Sequence, residues 1–164
     1  MFKVSGQSLV GHALGRDDPA TALAVVRRLY RFAAFTGTLL GVLLAATSGV
    51  LPKVFSGDGD VRHEATTALL FLALLQLPGA VTFVLDGVLM GANDFANLRW
   101  QTTVAFIAAL PFFVAVRWRP SLGLTAVWSG MLAWMLVRAW RNHRRVSGDA
   151  WMRSAESVRT AAPA

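Results

Sequence analysis

The uncharged run from Thr66 to Leu85 constrains this chain more than any other stretch. An α-helix rises about 1.5 Å per residue, so a run of this length covers roughly 30 Å, the thickness of the hydrocarbon core of a bilayer. The run is apolar on every side, whereas a surface helix of a soluble protein has an apolar stripe and a charged one. It therefore predicts a transmembrane helix, which continues past Asp86 to the polar residues at Asn93 and Asp94.

Three further uncharged runs are long enough to be transmembrane spans: Phe32–Leu51, Trp100–Val116 and Ser121–Val137. Hydrophobic residues make up 55% of the chain and charged residues 15%, and the mean hydropathy is +0.50. This composition is typical of a membrane protein, with the lipid bilayer as its surroundings. The predicted fold class is an all-α integral membrane protein with four transmembrane helices and an N-terminal partial or amphipathic helix.

The runs divide the chain into three regions: residues 1–31 as the end of a preceding helix and a basic amphipathic cytoplasmic segment, residues 32–145 as the four-helix transmembrane region, and residues 146–164 as a disordered cytoplasmic tail. Asp18 and Pro19 have the residue types of a helix N-cap and a first helical position. Pro52 is expected to end the first span, and Lys53 to Glu64 to form a polar loop.

The positive charge of the chain indicates a membrane orientation rather than a nucleic-acid partner. The net charge is +7, but the arginines flank apolar runs and do not form a patch with interleaved aromatic residues. Four basic residues lie near the span ends on one side: Lys53, Arg62, Arg117 and Arg119. Nine lie on the other: Arg16, Arg27, Arg28, Arg31, Arg99, Arg138, Arg141, Arg144 and Arg145. The positive-inside rule predicts a multi-pass protein of the inner (plasma) membrane with both termini in the cytoplasm.

The Asp86 helix has two different sides. Small and polar residues recur at spacings of three, four and seven, which places them on one face: Gly79, Thr82, Asp86 and Asn93. Apolar residues are predicted to form a lipid-like face on the other side: Leu77, Val81, Phe83, Val84 and Val88. We expect the polar face to point into a helix bundle and Pro78 to kink the helix, because proline removes one backbone hydrogen bond.

Glycine pairs spaced four residues apart recur three times, as Gly11 with Gly15, Gly37 with Gly41, and Gly87 with Gly91. A GxxxG pair lets two helix backbones approach closely, so these glycines are candidate helix-packing positions. Four helices alone would leave some of these faces against lipid. We therefore expect the chain to need a partner or self-association for stability.

The sequence carries no signature of an enzyme. P-loop, GxSxG and HExxH motifs are absent, and there is no cysteine for a Cys–His pair, a disulfide or a zinc–thiolate site. Asp58, Asp60 and Glu64 do not have the spacing of an EF-hand loop, so no metal and no cofactor are predicted. An ionisable residue inside a membrane helix indicates function, which makes Asp86 the main candidate. The alternative is a structural Asp86 that is hydrogen-bonded to a neighbouring helix through Gln101, Thr102 or Thr103.

Three stretches resemble the C-terminal part of the multidrug and toxic compound extrusion (MATE) transporters, in particular their DNA-damage-inducible, DinF-like branch. They are GQSLVGHALGRDDPATA (residues 6–22), LPKVFSGDGDV (residues 51–61) and QLPGAVTFVLDGVLMGANDFANLR (residues 76–99). The last is the most specific, because Asp-Gly and a later Gly-Ala-x-Asp occur together. The resemblance covers about residues 5–145 and implies spans nine to twelve of a twelve-helix protein, which is most of its second lobe.

The resemblance implies a secondary antiporter that exports organic cations or drugs in exchange for H⁺ or Na⁺. Asp86, Thr82 and Asn93 are then the transport or ion-coupling candidates, and the partner is a first lobe, which this chain lacks. Gly79 stands where some sodium-coupled relatives have an acid, so that sodium site has no side-chain ligand here. We expect the Asp86 carboxylate to have no basic residue nearby, so that a cationic drug and a proton would compete for it.

Two other functions remain compatible with the sequence. A small dimeric multidrug exporter needs an acid in its first span, and the first run here has none. A non-transporting scaffold or assembly subunit needs only packing faces, and Asp86 would then be structural.

Overall fold

A computed structural model describes residues 2–16, 18–148 and 150–153 of the chain, and within those ranges the protein contains helices and no strand. Six α-helices follow one another: α1 (Phe2–Gly15), α2 (Pro19–Thr47), α3 (Leu51–Phe55), α4 (Gly59–Gly91), α5 (Phe95–Trp118) and α6 (Gly123–Ser147). A single 3₁₀ turn, Pro120–Leu122, joins α5 to α6. The predicted all-α membrane fold is confirmed.

Three of these helices, α2, α4 and α5, are long and apolar enough to cross a membrane. Helices α4 and α5 contain the predicted spans Thr66–Leu85 and Trp100–Val116, whereas α2 contains only residues 32–47 of the predicted span Phe32–Leu51. The fourth predicted span lies in α6, which is a helix of 25 residues but is less apolar, since Arg138, Arg141, Arg144 and Arg145 occupy its second half. The helix is therefore present, and its crossing of the membrane stays a prediction.

The helix α2 is continuous across the predicted boundary between residues 31 and 32. It begins where the sequence indicates, because the Asp18 carboxylate accepts a 3.0 Å hydrogen bond from the Thr21 backbone N–H. Hydrogen bonds from the Thr21 side chain and backbone lower the pKa of Asp18, so the cap stays ionised. The helix ends at Thr47, and the predicted stop at Pro52 is wrong because this proline lies in the first turn of α3, where its missing N–H is not needed.

The predicted polar loop from Lys53 to Glu64 is much shorter in the structure. Only residues 56–58 separate α3 from α4. The Asp58 side chain caps α4 by accepting hydrogen bonds from the backbone N–H groups of Asp60 and Val61. Residues 59–64 of the predicted loop therefore belong to α4, which this cap begins, and residues 53–55 belong to α3.

Helix α4 is the centre of the bundle and packs against α1, α2 and α6. Gly37 and Gly41 of α2 lie against Leu77 and Ala73 of α4 respectively, so these two helices are antiparallel. Gly6 and Gly11 of α1 lie against Val84 and Gly91 of α4, so α1 is parallel to α4. The ends of α1, α4 and α6 and the beginnings of α2 and α5 therefore meet at one end of the bundle, which we call the basic end because the nine basic residues counted above belong to these segments.

The main hydrophobic cluster lies toward the basic end and surrounds the second half of α4. Its α4 members include Val81, Leu85, Val88 and Leu89, and Val84 beside them is also buried. The predicted lipid-like face of α4 is therefore wrong for Val81, Val84 and Val88, because α1, α2 and α6 enclose the helix there. It holds for Leu77 and Phe83, which are exposed.

The region after α6 is part of the core. Trp151 is fully buried and belongs to the main hydrophobic cluster, together with Val146 at the end of α6. The prediction of a disordered tail is thus wrong for this part, because a large aromatic side chain buries enough apolar surface to order its segment. The rest of that predicted tail, residues 149 and 154–164, lies outside the described residues.

The closest approach between α1 and α4 is at Gly91, where an added Cβ would lie 2.7 Å from the Gln7 carbonyl oxygen and 3.1 Å from the Gly11 nitrogen. Both obstacles are backbone atoms. We therefore expect Gly91→Ala to destabilise the protein by about 1–3 kcal/mol, which a lower melting temperature in detergent would show. Gly79→Ala is the matched control, since Gly79 is buried on the same helix and has nothing within 4 Å of an added Cβ. Equal shifts for the two variants would contradict the packing role of Gly91.

The alternating helix directions allow a direct test of the predicted orientation. Ser56 lies at the end opposite to the basic end, and Ser147 lies at the basic end. The chain has no native cysteine. We expect a membrane-impermeant thiol reagent applied outside cells to label Ser56→Cys and not Ser147→Cys. The reverse pattern would overturn the orientation.

Candidate functional site

Asp86 lies in the second half of α4 and is buried, with 3% of its surface exposed. Its two carboxylate oxygens have different partners on α6. The Arg138 Nη2 donates a hydrogen bond to Oδ2 at 2.6 Å and forms an ion pair with it. The Asn142 Nδ2 donates a 2.9 Å hydrogen bond to Oδ1. The carboxylate is thus held by a charged group and an amide from one neighbouring helix.

A second ion pair joins α6 to the turn between α4 and α5, where the Arg145 Nε donates to Asp94 Oδ2 at 2.7 Å. Arg138, Asn142 and Arg145 follow one another at spacings of four and three, so they share one face of α6. Asp86 and Asp94 are eight residues apart, the first within α4 and the second in the turn after it. Each of these two buried acids therefore pairs with one arginine of α6, and the acids follow the same order along the chain as their arginines.

The turn between α4 and α5 places Asp94 for this contact. Asn93 has a positive φ of 57°, and the N–H groups of Asn93 and Asp94 donate to the carbonyls of Met90 and Leu89. This is a Schellman motif with asparagine at the left-handed position, which asparagine tolerates better than most residues. Asp94 precedes α5 but makes no side-chain cap, because its carboxylate turns to Arg145 instead.

The predicted polar face is only partly assembled. Gly79, Thr82 and Asp86 are buried together on α4. Asn93 is exposed and lies in the turn after α4 ends at Gly91, so it does not share a helical face with Asp86. The Thr82 hydroxyl, one turn before Asp86, is buried and has no hydrogen-bond partner. The site therefore consists of Thr82 and Asp86 from α4, completed by α6.

The expectation that Asp86 has no basic residue nearby is wrong, because Arg138 supplies one from α6. The alternative partners on α5 are not used either. Thr102 and Thr103 donate their hydroxyls to the carbonyls of Leu98 and Arg99 in their own helix. Gln101 is fully buried, and neither polar atom of its side chain has a hydrogen-bond partner.

Sequence reasoning treated Arg138 and Arg145 only as orientation charges, used Asp94 only as part of the Gly-Ala-x-Asp motif, and passed over Asn142. A signal for them was present. Arg138 and Arg145 are seven residues apart on one face of α6, and Asp86 and Asp94 are eight residues apart in α4 and the turn after it. The guanidinium of Arg138 also lies 5.0 Å from the centre of the Trp134 ring, which helps to fix its position.

The Asp86 carboxylate and the Arg138 guanidinium balance each other's charge. Within the described ranges no group of three or more His, Cys, Asp or Glu side chains is arranged to hold a metal ion. A proton on Asp86 would neutralise the carboxylate and leave Arg138 without its anion, and only 12% of the Arg138 side chain is exposed. Removing one partner of a buried ion pair is strongly unfavourable, so protonation of Asp86 would weaken the contact between α4 and α6.

The family model described as MatE matches residues 2–118 of the chain. Helices α1 to α5, with Asp86, Thr82 and Asp94, lie within this match, while the α6 residues that complete the site lie beyond it.

Curated proteins of both bacteria and eukaryotes are similar to the chain. It is 34% identical over 163 residues to the probable multidrug resistance protein NorM of Rhodopseudomonas palustris, covering 87% of this chain and 32% of that protein. It is 31% identical over 143 residues to protein DETOXIFICATION 44, chloroplastic, of Arabidopsis thaliana, covering 84% and 27%. It is 24% identical over 162 residues to multidrug and toxin extrusion protein 2 of Mus musculus, covering 98% and 28%. The chain thus spans about a quarter to a third of the length of these relatives. No solved structure matches it.

Proposed function

Because this chain belongs to the MatE family, we propose that it is most of the second lobe of a secondary antiporter that exports organic cations or drugs in exchange for H⁺ or Na⁺. The names of its relatives describe multidrug resistance and toxin extrusion. Since the chain covers only part of each relative, the complete activity is proposed for a transporter that contains this segment together with a first lobe. The DinF-like branch and a plasma-membrane location with cytoplasmic termini belong to the same proposal.

The observation that carries this proposal is the buried pair of Asp86 and Arg138 between α4 and α6. An acid with its own cationic partner has two states that differ by one proton. In the first state the carboxylate binds the guanidinium, and α4 and α6 are held together. In the second state Asp86 is protonated and Arg138 must move toward water or another acceptor. A proton taken up at this site is thereby coupled to the packing of two helices, which is the kind of two-state element that transport requires.

This geometry favours a proton over sodium as the coupling ion. Sodium would have to compete with Arg138 and Asn142 for both oxygens of Asp86. The drug need not bind Asp86 itself, since Arg138 already occupies the position of a cation there. Asp86 then acts as the coupling group, and Thr82 is the nearest further polar group on α4.

The other two functions receive less support. A small dimeric multidrug exporter would not account for the MatE match or for relatives that are several times longer than this chain. A scaffold would account for the two ion pairs as structural contacts, but would give no reason for the similarity to proteins named for multidrug resistance and toxin extrusion.

Ion dependence in proteoliposomes tests the proposed exchange. A complete transporter that contains this segment is reconstituted with a pH-sensitive dye in the lumen, and ethidium is added as a probe cation. We expect ethidium movement to release protons in sodium-free buffer and to stop with a protonophore. Movement that requires sodium and ignores the protonophore would reject proton coupling, and no ion-coupled movement under either condition would favour the scaffold.

A further inference from the structure

A pocket of about 370 Å³ opens between α2 and α6 at the basic end. Its polar wall consists of Arg27, Tyr30 and Arg31 from α2 and His143 and Ser147 from α6. Its remaining lining is apolar and comes from the residues that pack beneath them: Leu23, Val26, Leu85 and Val146. The pocket uses neither Asp86 nor Arg138, so it is separate from the candidate coupling site.

The charge of the pocket is positive and has no counter-charge in its lining. Arg27 and Arg31 are exposed and one helical turn apart, and no aspartate or glutamate lines the pocket. Contacts between the helices hold the wall in place, with the rings of Tyr30 and His143 centred 5.7 Å apart. The Ser147 hydroxyl lies 3.4 Å from the His143 Nε2. Two guanidinium groups beside hydroxyl and imidazole groups form a site that can bind the oxygen atoms of a phosphate group.

The position of the pocket in the membrane distinguishes a lipid from a soluble anion. The uncharged run of α2 begins at Phe32, directly after Arg31, and the uncharged run of α4 ends at Leu85 on the pocket floor. The arginines therefore lie at the level of the lipid headgroups, and the apolar floor lies where the acyl chains begin. Basic pockets between transmembrane helices on the cytoplasmic side are suited to anionic headgroups.

We propose that this pocket binds the headgroup of an anionic phospholipid, with its phosphate at Arg27 and Arg31 and its acyl-ester region over the apolar floor. The lipid bridges α2 and α6, which are not adjacent in the chain. It is thus a membrane ligand that stabilises the bundle at the end where Asp86 acts.

Native mass spectrometry of the purified chain in detergent tests this site. The probes are dioleoylphosphatidylglycerol, dioleoylphosphatidylcholine with the same acyl chains, and glycerol 3-phosphate without them. We expect one tightly bound phosphatidylglycerol, with binding of the other two probes weaker by at least roughly tenfold. The substitutions Arg27→Gln and Arg31→Gln should each weaken binding of phosphatidylglycerol by roughly fivefold.

Arg28→Gln is the matched control, because Arg28 is on the same helix and lines a different, apolar pocket with Leu9 and Phe32. It removes the same charge and should leave binding of phosphatidylglycerol within twofold of the original chain. Equal weakening by Arg27→Gln and Arg28→Gln would show unspecific charge attraction and overturn the proposal. Equal binding of glycerol 3-phosphate would overturn the lipid as ligand and assign a soluble phosphate to the pocket. Tyr30→Phe, which removes only a hydroxyl, preserves a test of the site if an arginine variant fails to fold.

Discussion

Replacing Asp86 with asparagine in a complete transporter that contains this segment is expected to abolish drug-driven proton exchange and to leave membrane insertion intact. Asparagine keeps the size of the side chain and an oxygen for Asn142, but it cannot bind and release a proton or act as the anion for Arg138. Exchange in dye-loaded proteoliposomes should fall by at least roughly 100-fold, which corresponds to ~2.7 kcal/mol. Insertion is measured separately by resistance to alkaline extraction.

The matched control for Asp86→Asn is Asp94→Asn. Asp94 is also buried and also paired with an arginine of α6, at 2.7 Å, but it lies beyond the end of α4. We expect this variant to lose stability and to keep proton-coupled exchange. Exchange by Asp86→Asn at an unchanged rate and pH profile would reduce Asp86 to a packing residue. Equal loss of exchange in both variants would make the ion pairs a common structural clamp.

The second large effect is expected for Arg138→Gln, which leaves the Asp86 carboxylate buried without its cation. Breaking a buried ion pair by removing one partner costs about 3–5 kcal/mol, so the melting temperature in detergent should fall sharply. The double variant Asp86→Asn/Arg138→Gln removes both charges and should regain most of this stability. It should still lack proton exchange, which separates the coupling role of the pair from its structural role.

Arg144→Gln provides the comparison for Arg138→Gln. Arg144 is on the same helix, is exposed, and lies over the Trp140 ring at 5.1 Å. An exposed contact of this kind contributes about 0.5–1 kcal/mol, so the expected change is small. A loss of stability for Arg138→Gln no greater than for Arg144→Gln would mean that Asp86 finds another partner or water when Arg138 is absent.

The sequence was sufficient to predict the long helices and the burial of Asp86, because an acid inside an apolar run has few places to lie except within a bundle. It did not predict α3 or the first turns of α4, where a polar loop was expected. It was also sufficient to predict the alternating directions of the spans. It did not predict the partner of Asp86. Arg138 follows 52 positions later, and which side of α6 faces α4 depends on the rotation of both helices about their axes. That rotation is set by packing across the whole bundle, including the close approaches at Gly11 and Gly91.

The positive-inside rule did not reveal the ion pairs, for a physical reason. It counts arginines as independent charges near span ends, whereas Arg138 and Arg145 form ion pairs with acids of the same chain. The residues after α6 were also predicted wrongly, because their composition alone indicated disorder. The burial of Trp151 stabilises an ordered segment there, although several of its neighbours in the sequence are small and polar.

The burial of Trp151 also has a consequence for the order in which the chain folds. Trp151 shares one hydrophobic cluster with Val10 and Ala22, so nearly the whole described chain lies between residues that must come into contact. Contacts of such long sequence separation carry a large loop-closure entropy and form late. We therefore expect the helices to enter the bilayer one after another during synthesis, and the basic end to close only once Trp151 has left the ribosome. The contact that closes this end is then made by a residue outside the transmembrane runs.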